Sequence, residues 1–267
     1  MQSFHGCTAL VTGASAGLGR EFARQLAPRA KVLILVARRK ERLDELSAEL
    51  ARPGLTIKTH ALDLAQSDAL EGLVATLTNG EDKVDLLVNN AGMGDHGLFE
   101  NGEWPRVQAM LDVNIRALTR LVHAILPQLV RSGRGTILNV SSIAGLIPVP
   151  KMAVYAATKA YVSSFTEALR AELRGTGVSV TALCPGPIDT EFFDRAERPD
   201  AVSGVPTPDV FKVPASQAVR EALEAAAHRR ARVISGWQVW AVMTLLTLIP
   251  IALLRLFLPG RKRGLFQ

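Results

Sequence analysis

Short runs of consecutive apolar residues alternate along this chain with longer stretches in which apolar positions return every three or four residues. The runs at 8–12, 32–37, 56–61, 85–89, 135–141, 179–184 and, more weakly, 232–234 have strand length. Runs of this kind predict parallel strands buried on both faces. Between them, 18–27, 40–51, 66–78, 105–131, 153–174 and 214–228 carry the helical period. Strand and helix in alternation build a parallel sheet covered on both sides, so the fold class is α/β, a doubly wound sheet of about seven strands. The pattern sets one domain over residues 1–235 and an apolar tail over 236–267, with 198–208, rich in Pro, Gly, Ser and Asp, read as a mobile loop.

Composition changes this picture little. With 48% hydrophobic and 21% charged residues the chain can bury a large core, which excludes disorder. Two cysteines, Cys7 and Cys184, sit in apolar runs and are expected as reduced core residues in a reducing compartment. The first apolar run is only five residues long and no basic segment precedes it, so no export signal is expected and the cytoplasm is the expected location. Histidines 5, 60, 96, 123 and 228 fall in no metal-ligand spacing, and a metal site is not expected. Trp104, before a proline at a helix start, reads as packing.

Charge matters more. The net charge is +6, yet seven of the 31 cations and none of the 25 acids lie between His228 and Gln267. The body is close to neutral, which argues against a nucleic-acid face. Residues 237–258 would span about 33 Å as one helix, enough for a bilayer core of about 30 Å. Pro250 should break that helix and Arg255 would charge it. The tail is therefore expected as a bent pair of apolar helices in a membrane interface, peripheral at the inner surface. Trp237 and Trp240 would sit at headgroup level, with arginines at both ends facing anionic lipid. A pocket lid, a dimer contact and a true span are the alternatives, and a chain cut after Ser235 is expected to gain solubility.

Candidate chemistry begins where the first strand runs into Thr12-Gly13-Ala14-Ser15-Ala16-Gly17-Leu18-Gly19 and a helix. Three glycines let backbone approach a pyrophosphate, whose charge a helix N-terminus stabilises. Farther on, Tyr155 and Lys159 are i and i+4 on one helix, so they share a face. An ammonium beside a phenol favours phenolate and should lower a pKa normally near about 10. Ser142, leaving a strand end, can bond the same substrate oxygen.

The glycine spacing resembles the opening of the short-chain dehydrogenase/reductase family. The resemblance extends through Asn89-Asn90-Ala91-Gly92, Asn114, Ser142, the Tyr155/Lys159 pair and Cys184-Pro185-Gly186, over roughly residues 6–235. It implies a Rossmann-type fold and an oxidoreductase that moves hydride between a nicotinamide and a carbonyl or alcohol. It assigns proton transfer to Tyr155, the ribose hydroxyls and the phenol's pKa to Lys159, the substrate oxygen to Ser142, and a proton-relaying water to Asn114. It also implies cofactor contacts from Gly13, Ser15, Ala16, Gly17, Leu18, Gly19, Asn90, Ala91, Gly92, Pro185 and Gly186. Asp63 beside Leu64 would meet the adenine, and Ile188 and Thr190 the nicotinamide carboxamide.

At the end of the second strand, Ala37 stands where an acid would favour NAD, and Arg38 and Arg39 follow, which points to NADP(H). Phe192 and Phe193, with Val205, Val210 and Phe211, are candidate walls for an apolar, lipid-like substrate. The expected partners are that small molecule and, through the tail, an anionic membrane surface, in a homo-oligomer. The competing reading is an NADPH-binding sensor or scaffold without turnover.

Overall fold

On β1 (Thr8–Thr12) and β2 (Val32–Ala37) successive side chains enter opposite layers: Ala9, Val11, Leu33 and Leu35 one, Leu10, Val32, Ile34 and Val36 the other. This period of two makes a two-sided core. The computed structural model describes residues 4–188, 190–198 and 211–257. With β3 (Thr56–Ala61), β4 (Leu86–Asn89), β5 (Gly135–Val140), β6 (Val178–Leu183) and β7 (Arg232–Val233), these strands form one sheet in the order β3-β2-β1-β4-β5-β6-β7. Every pairing is parallel.

One face is covered by α1 (Gly17–Leu26), α2 (Lys40–Leu50) and α8 (Ala215–Ala227), through Phe22, Leu26, Leu43, Leu46, Val219 and Leu223. The other is covered by α3 (Ser67–Asn79), α5 (Leu118–Ser132) and α6 (Ala153–Glu172), through Leu70, Leu73, Leu121, Ile125, Val162 and Leu169. The chain leaves β1 for β2 on one side, while β4 lies on the other. That reversal opens a crevice beyond the strand ends, where ligands bind in sheets of this kind.

Four expectations change. The segment read as one helix over 105–131 is α4 (Trp104–Leu111), a π-helical segment (Asp112–Ala117) and then α5. Strand β3 is not buried on both faces: it is an edge strand whose Thr56, Lys58, Thr59 and Ala61 are exposed. Trp104 is 62% exposed rather than packed. Arg198, read as part of a mobile loop, is buried and paired with Asp95; residues 199–210, including Val205 and Val210, lie outside the described residues.

The tail folds as α9 (Trp237–Leu248) and α10 (Ile251–Phe257), broken at Ile249-Pro250. Buried Val239 and Met243 pack with Ile188, Val213 and Ala218, so α9 is docked on the catalytic domain. Cutting after Ser235 would uncover that cluster and at the same time remove the exposed Trp237, Trp240, Leu245 and Leu248.

Candidate active site

Thr12 ends β1 with its hydroxyl turned across to β4. Its Oγ1 donates to the Val88 carbonyl at 3.3 Å and accepts from the amides of Asn90 and Ala91 at 3.0 Å each. Asn90 Nδ2 returns the link by donating to the Thr12 carbonyl at 2.9 Å. These bonds hold the two strand ends together at the crevice. Gly13 (φ +69°) belongs there because a Cβ would lie 2.8 Å from Asn90 Nδ2 and 2.9 Å from Ala91 Cα. Gly17 (φ +50°) faces Thr190, whose Cγ2 lies 3.3 Å from where a Cβ would be.

The crevice is a cavity of about 380 Å³. Its lining includes Gly13, Ser15, Ala16, Gly17, Leu18, Arg38, Arg39, Asp63, Leu64, Asn90, Ala91 and Gly92. On the far side it takes in Ser142, Tyr155, Lys159, Pro185, Gly186, Ile188, Thr190 and Phe192. Gly19 and Asn114 lie behind this wall. A Cβ on Gly19 would collide with the Gly13 carbonyl, so Gly19 keeps the loop closed on itself. The Phe193 side chain lies outside those described. Phe211 packs in the cluster beneath α9 rather than in the cavity.

A dinucleotide fits this shape. The first turn of α1 holds no acid, and the glycine loop brings backbone to its N-terminus. At the adenosine end, Arg39 donates from Nη2 to the Ser15 hydroxyl at 3.2 Å, and Arg38 stands 3.9 Å from Asp63. Glu191, which motif reading missed, also reaches this end. It pairs with Arg39 at 3.2 Å and Arg42 at 2.5 Å, and these two guanidiniums hold its carboxyl below the usual range.

The reacting end is built on α6 and the end of β5. Ser141 Oγ donates to the Lys159 carbonyl at 2.8 Å, and the turn at Ile143–Gly145 lies against α6. Ser142, on extended backbone, thereby faces Tyr155, and its Oγ accepts from the Ala144 amide at 3.1 Å. The Tyr155 ring lies 5.7 Å from that of Phe192, and Lys159 Nζ lies 5.8 Å from the Tyr155 ring centre. Lys159 Nζ donates to the Val140 carbonyl at 2.8 Å.

Electrostatics depart from expectation here. Burial pushes the Tyr155 phenol up to about 12, and the Ser142 hydroxyl offsets only part of the rise. Burial also brings Lys159 down to about 8. The predicted lowering of the phenol by the ammonium is not seen: burial raises it and only Ser142 works against the rise.

Asn114 sits on the π-helical segment, 1% exposed. Its Oδ1 accepts from the Met93 amide at 2.8 Å, while Nδ2 donates to the Met93 carbonyl at 2.9 Å and to Thr158 Oγ1 at 3.0 Å. The side chain thereby holds the 93 turn against α6. Cys184 is buried, and burial raises its thiol, which leaves it a packing residue. Sequence reading also passed over Met93, Gly94, Val113 and Arg106 on the cavity wall. Arg106 lies 2.9 Å from Asp95 and donates to the Ala196 carbonyl at 3.1 Å.

A doubly wound sheet with a glycine loop at its switch point and a Ser-Tyr-Lys cluster across the crevice defines a nicotinamide-dependent oxidoreductase. The short chain dehydrogenase family model matches residues 7–201, and the chain belongs to that family, whose members act on carbonyl and alcohol groups. It is 41% identical over 188 residues, 68% of this chain and 73% of the relative, to sulfoacetaldehyde reductase 2 of Chromohalobacter salexigens. Among solved structures it is similar to a short-chain dehydrogenase from Sphingobium yanoikuyae in complex with NADPH, with a TM-score of 0.81 and 32% identity over 97% of this chain and 98% of that one. It is also similar to the bulky-bulky ketone specific alcohol dehydrogenase from Comamonas testosteroni, with a TM-score of 0.76 and 29% identity over 97% and 96%.

Proposed function

We propose that this chain is an NADPH-dependent reductase of ketones or aldehydes that carry apolar substituents. The observation that carries the reading is one crevice with Ser15, Arg38 and Arg39 at one end and Ser142, Tyr155 and Lys159 beside Phe192, Met93 and Val113 at the other. When bound, the cofactor supplies the hydride. The chain does the rest. Ser142 orients the carbonyl oxygen, Tyr155 gives its phenolic proton to that oxygen, and the Lys159 ammonium stabilises the phenolate left behind. A phenol near 12 is fully protonated at neutral pH, which suits a proton donor and hence reduction.

The arginines favour the 2′-phosphate of NADPH over the bare ribose of NADH. The apolar substrate is supported by the wall chemistry and by the name of the Comamonas relative. Sulfoacetaldehyde is anionic, but the cation on this wall, Arg106, is engaged by Asp95 and the Ala196 carbonyl. NADPH consumption with short and long ketones and with sulfoacetaldehyde tests the reading: turnover of sulfoacetaldehyde alone would overturn the apolar class.

The same proposal places the protein at an anionic membrane surface on the cytoplasmic side. Trp237, Trp240, Val242, Leu245, Leu248, Ile251 and Leu253 are all exposed large apolar residues of α9 and α10. Thr244 and Thr247 satisfy their hydroxyls on carbonyls of the same helix, at 2.7 and 3.0 Å. No acid follows Glu224 in the sequence. No helix among the described residues is long and apolar enough to cross a membrane, so the pair would lie flat. Flotation with anionic vesicles at low salt, reversed in part by high salt, is the expected result. A chain that ignores vesicles and forms dimers only with its tail intact would make this face a dimer contact.

A further inference from the structure

A second hollow, of about 340 Å³, opens where the elbow between α9 and α10 faces the loop that follows Ser142. Leu146, Ile147 and Pro148 form one wall, and Leu246, Ile249 and Leu254 are among the residues of the other. Among the described residues no charged side chain lines it, and the one hydroxyl there, of Thr247, is already spent on the Thr244 carbonyl. Nothing in the lining asks for water.

The hollow and the catalytic crevice share no lining residue, but both border one apolar cluster. Leu18 and Ile188 line the crevice, Leu146, Ile147 and Leu246 line the hollow, and all five belong to one apolar cluster. Leu146 follows Ser142 after the single turn Ile143–Gly145, an advance of about 8 Å at the rise of such a turn. Ser142 and the near wall of the hollow therefore lie one short turn apart along the chain.

We propose that this hollow receives the alkyl chain of the substrate, so that the tail elbow is part of the substrate site and the preferred substrate is a long-chain carbonyl compound. The inference rests on the reductase reading and extends it. The test is the binding of 2-butanone, 2-octanone and 2-dodecanone to the full chain loaded with NADP⁺, by calorimetry, alongside their reduction with NADPH. Affinity should rise by up to about fourfold for each methylene that enters the hollow. Leu246→Trp should fill it and abolish that rise while leaving 2-butanone binding and turnover unchanged. Leu248→Trp, at a position 75% exposed in the native chain, repeats the test from a site where added bulk cannot strain the core.

A chain-length rise lost in both variants supports the proposal. A rise that is absent, or that survives both variants, overturns it while reduction of 2-butanone leaves the reductase reading standing. If no ketone binds or is reduced although NADPH binds, the reductase reading itself fails and the subsite falls with it.

Discussion

Desolvation moves the two catalytic side chains of α6 in opposite directions, Tyr155 up to about 12 and Lys159 down to about 8. Reduction needs the phenol protonated and the ammonium charged. The first condition holds across the neutral range, and the second is lost as pH rises through the Lys159 value. Reductive kcat/KM should therefore stay level below pH 8 and fall above it, in a pH-rate profile. Lys159→Arg, which keeps its charge, should move the fall upward; a native profile level past pH 10 would contradict the role. At the cofactor end, NADPH should bind at least about tenfold more tightly than NADH, and Arg38→Asp or Arg39→Asp should shrink or reverse the ratio in titrations. Glu191 holds Arg39 and would crowd a phosphate there, so Glu191→Gln should raise NADPH affinity and leave NADH affinity nearly unchanged. The Tyr155/Lys159 spacing was legible because four residues make one turn of helix. Glu191 was not, since it meets Arg39 from 152 positions away and no local pattern encodes that distance.

Between residue and fold, the reacting cluster depends on how closely elements approach. Gly145 lies so near α6 that a Cβ would stand 2.6 Å from the Lys159 carbonyl oxygen and 2.7 Å from the Ala160 amide. Gly145→Ala should push the turn after Ser142 away from Tyr155. Overpacking of this kind costs about 1–3 kcal/mol, so the melting temperature should drop by several degrees and kcat should fall while NADPH affinity is largely kept. An unchanged melting temperature and kcat would remove this contact from the account. Strands β1, β2, β4, β5 and β6 were readable because buried parallel strands are apolar runs, while β3 and β7, at the sheet edges, are partly exposed and were legible only from their place in the alternation. The π-helical segment was not, because one extra residue per turn barely disturbs an apolar period read over 105–131. Helix α7 (Glu191–Ala196) escaped for a simpler reason: six residues are too few to show a period.

Across the whole molecule, the crevice and the tail share one end of the sheet. Arg229 and Arg230 precede β7, at the edge away from the crevice, and their carbonyls accept from Arg170 and Thr181. Of the cations expected to face lipid at the far end of the tail, Arg255 lies on α10, and Arg261, Lys262 and Arg263 lie outside the described residues. Hydropathy could place the tail but not its partner, because one face of α9 is spent on Ile188 and Val213 while the other is exposed. Trp240→Glu with Leu245→Glu should abolish vesicle binding and leave ketone reduction unaltered. The central claim is chemical, and one measurement reaches it directly: NADPH oxidation by the full chain with 2-octanone, with the alcohol product counted. The account predicts one alcohol per NADPH consumed and a loss of about 100-fold or more in Tyr155→Phe with NADPH binding intact. Tight NADPH binding without oxidation by any ketone or aldehyde, or a Tyr155→Phe variant that keeps more than about a tenth of native turnover, would contradict it.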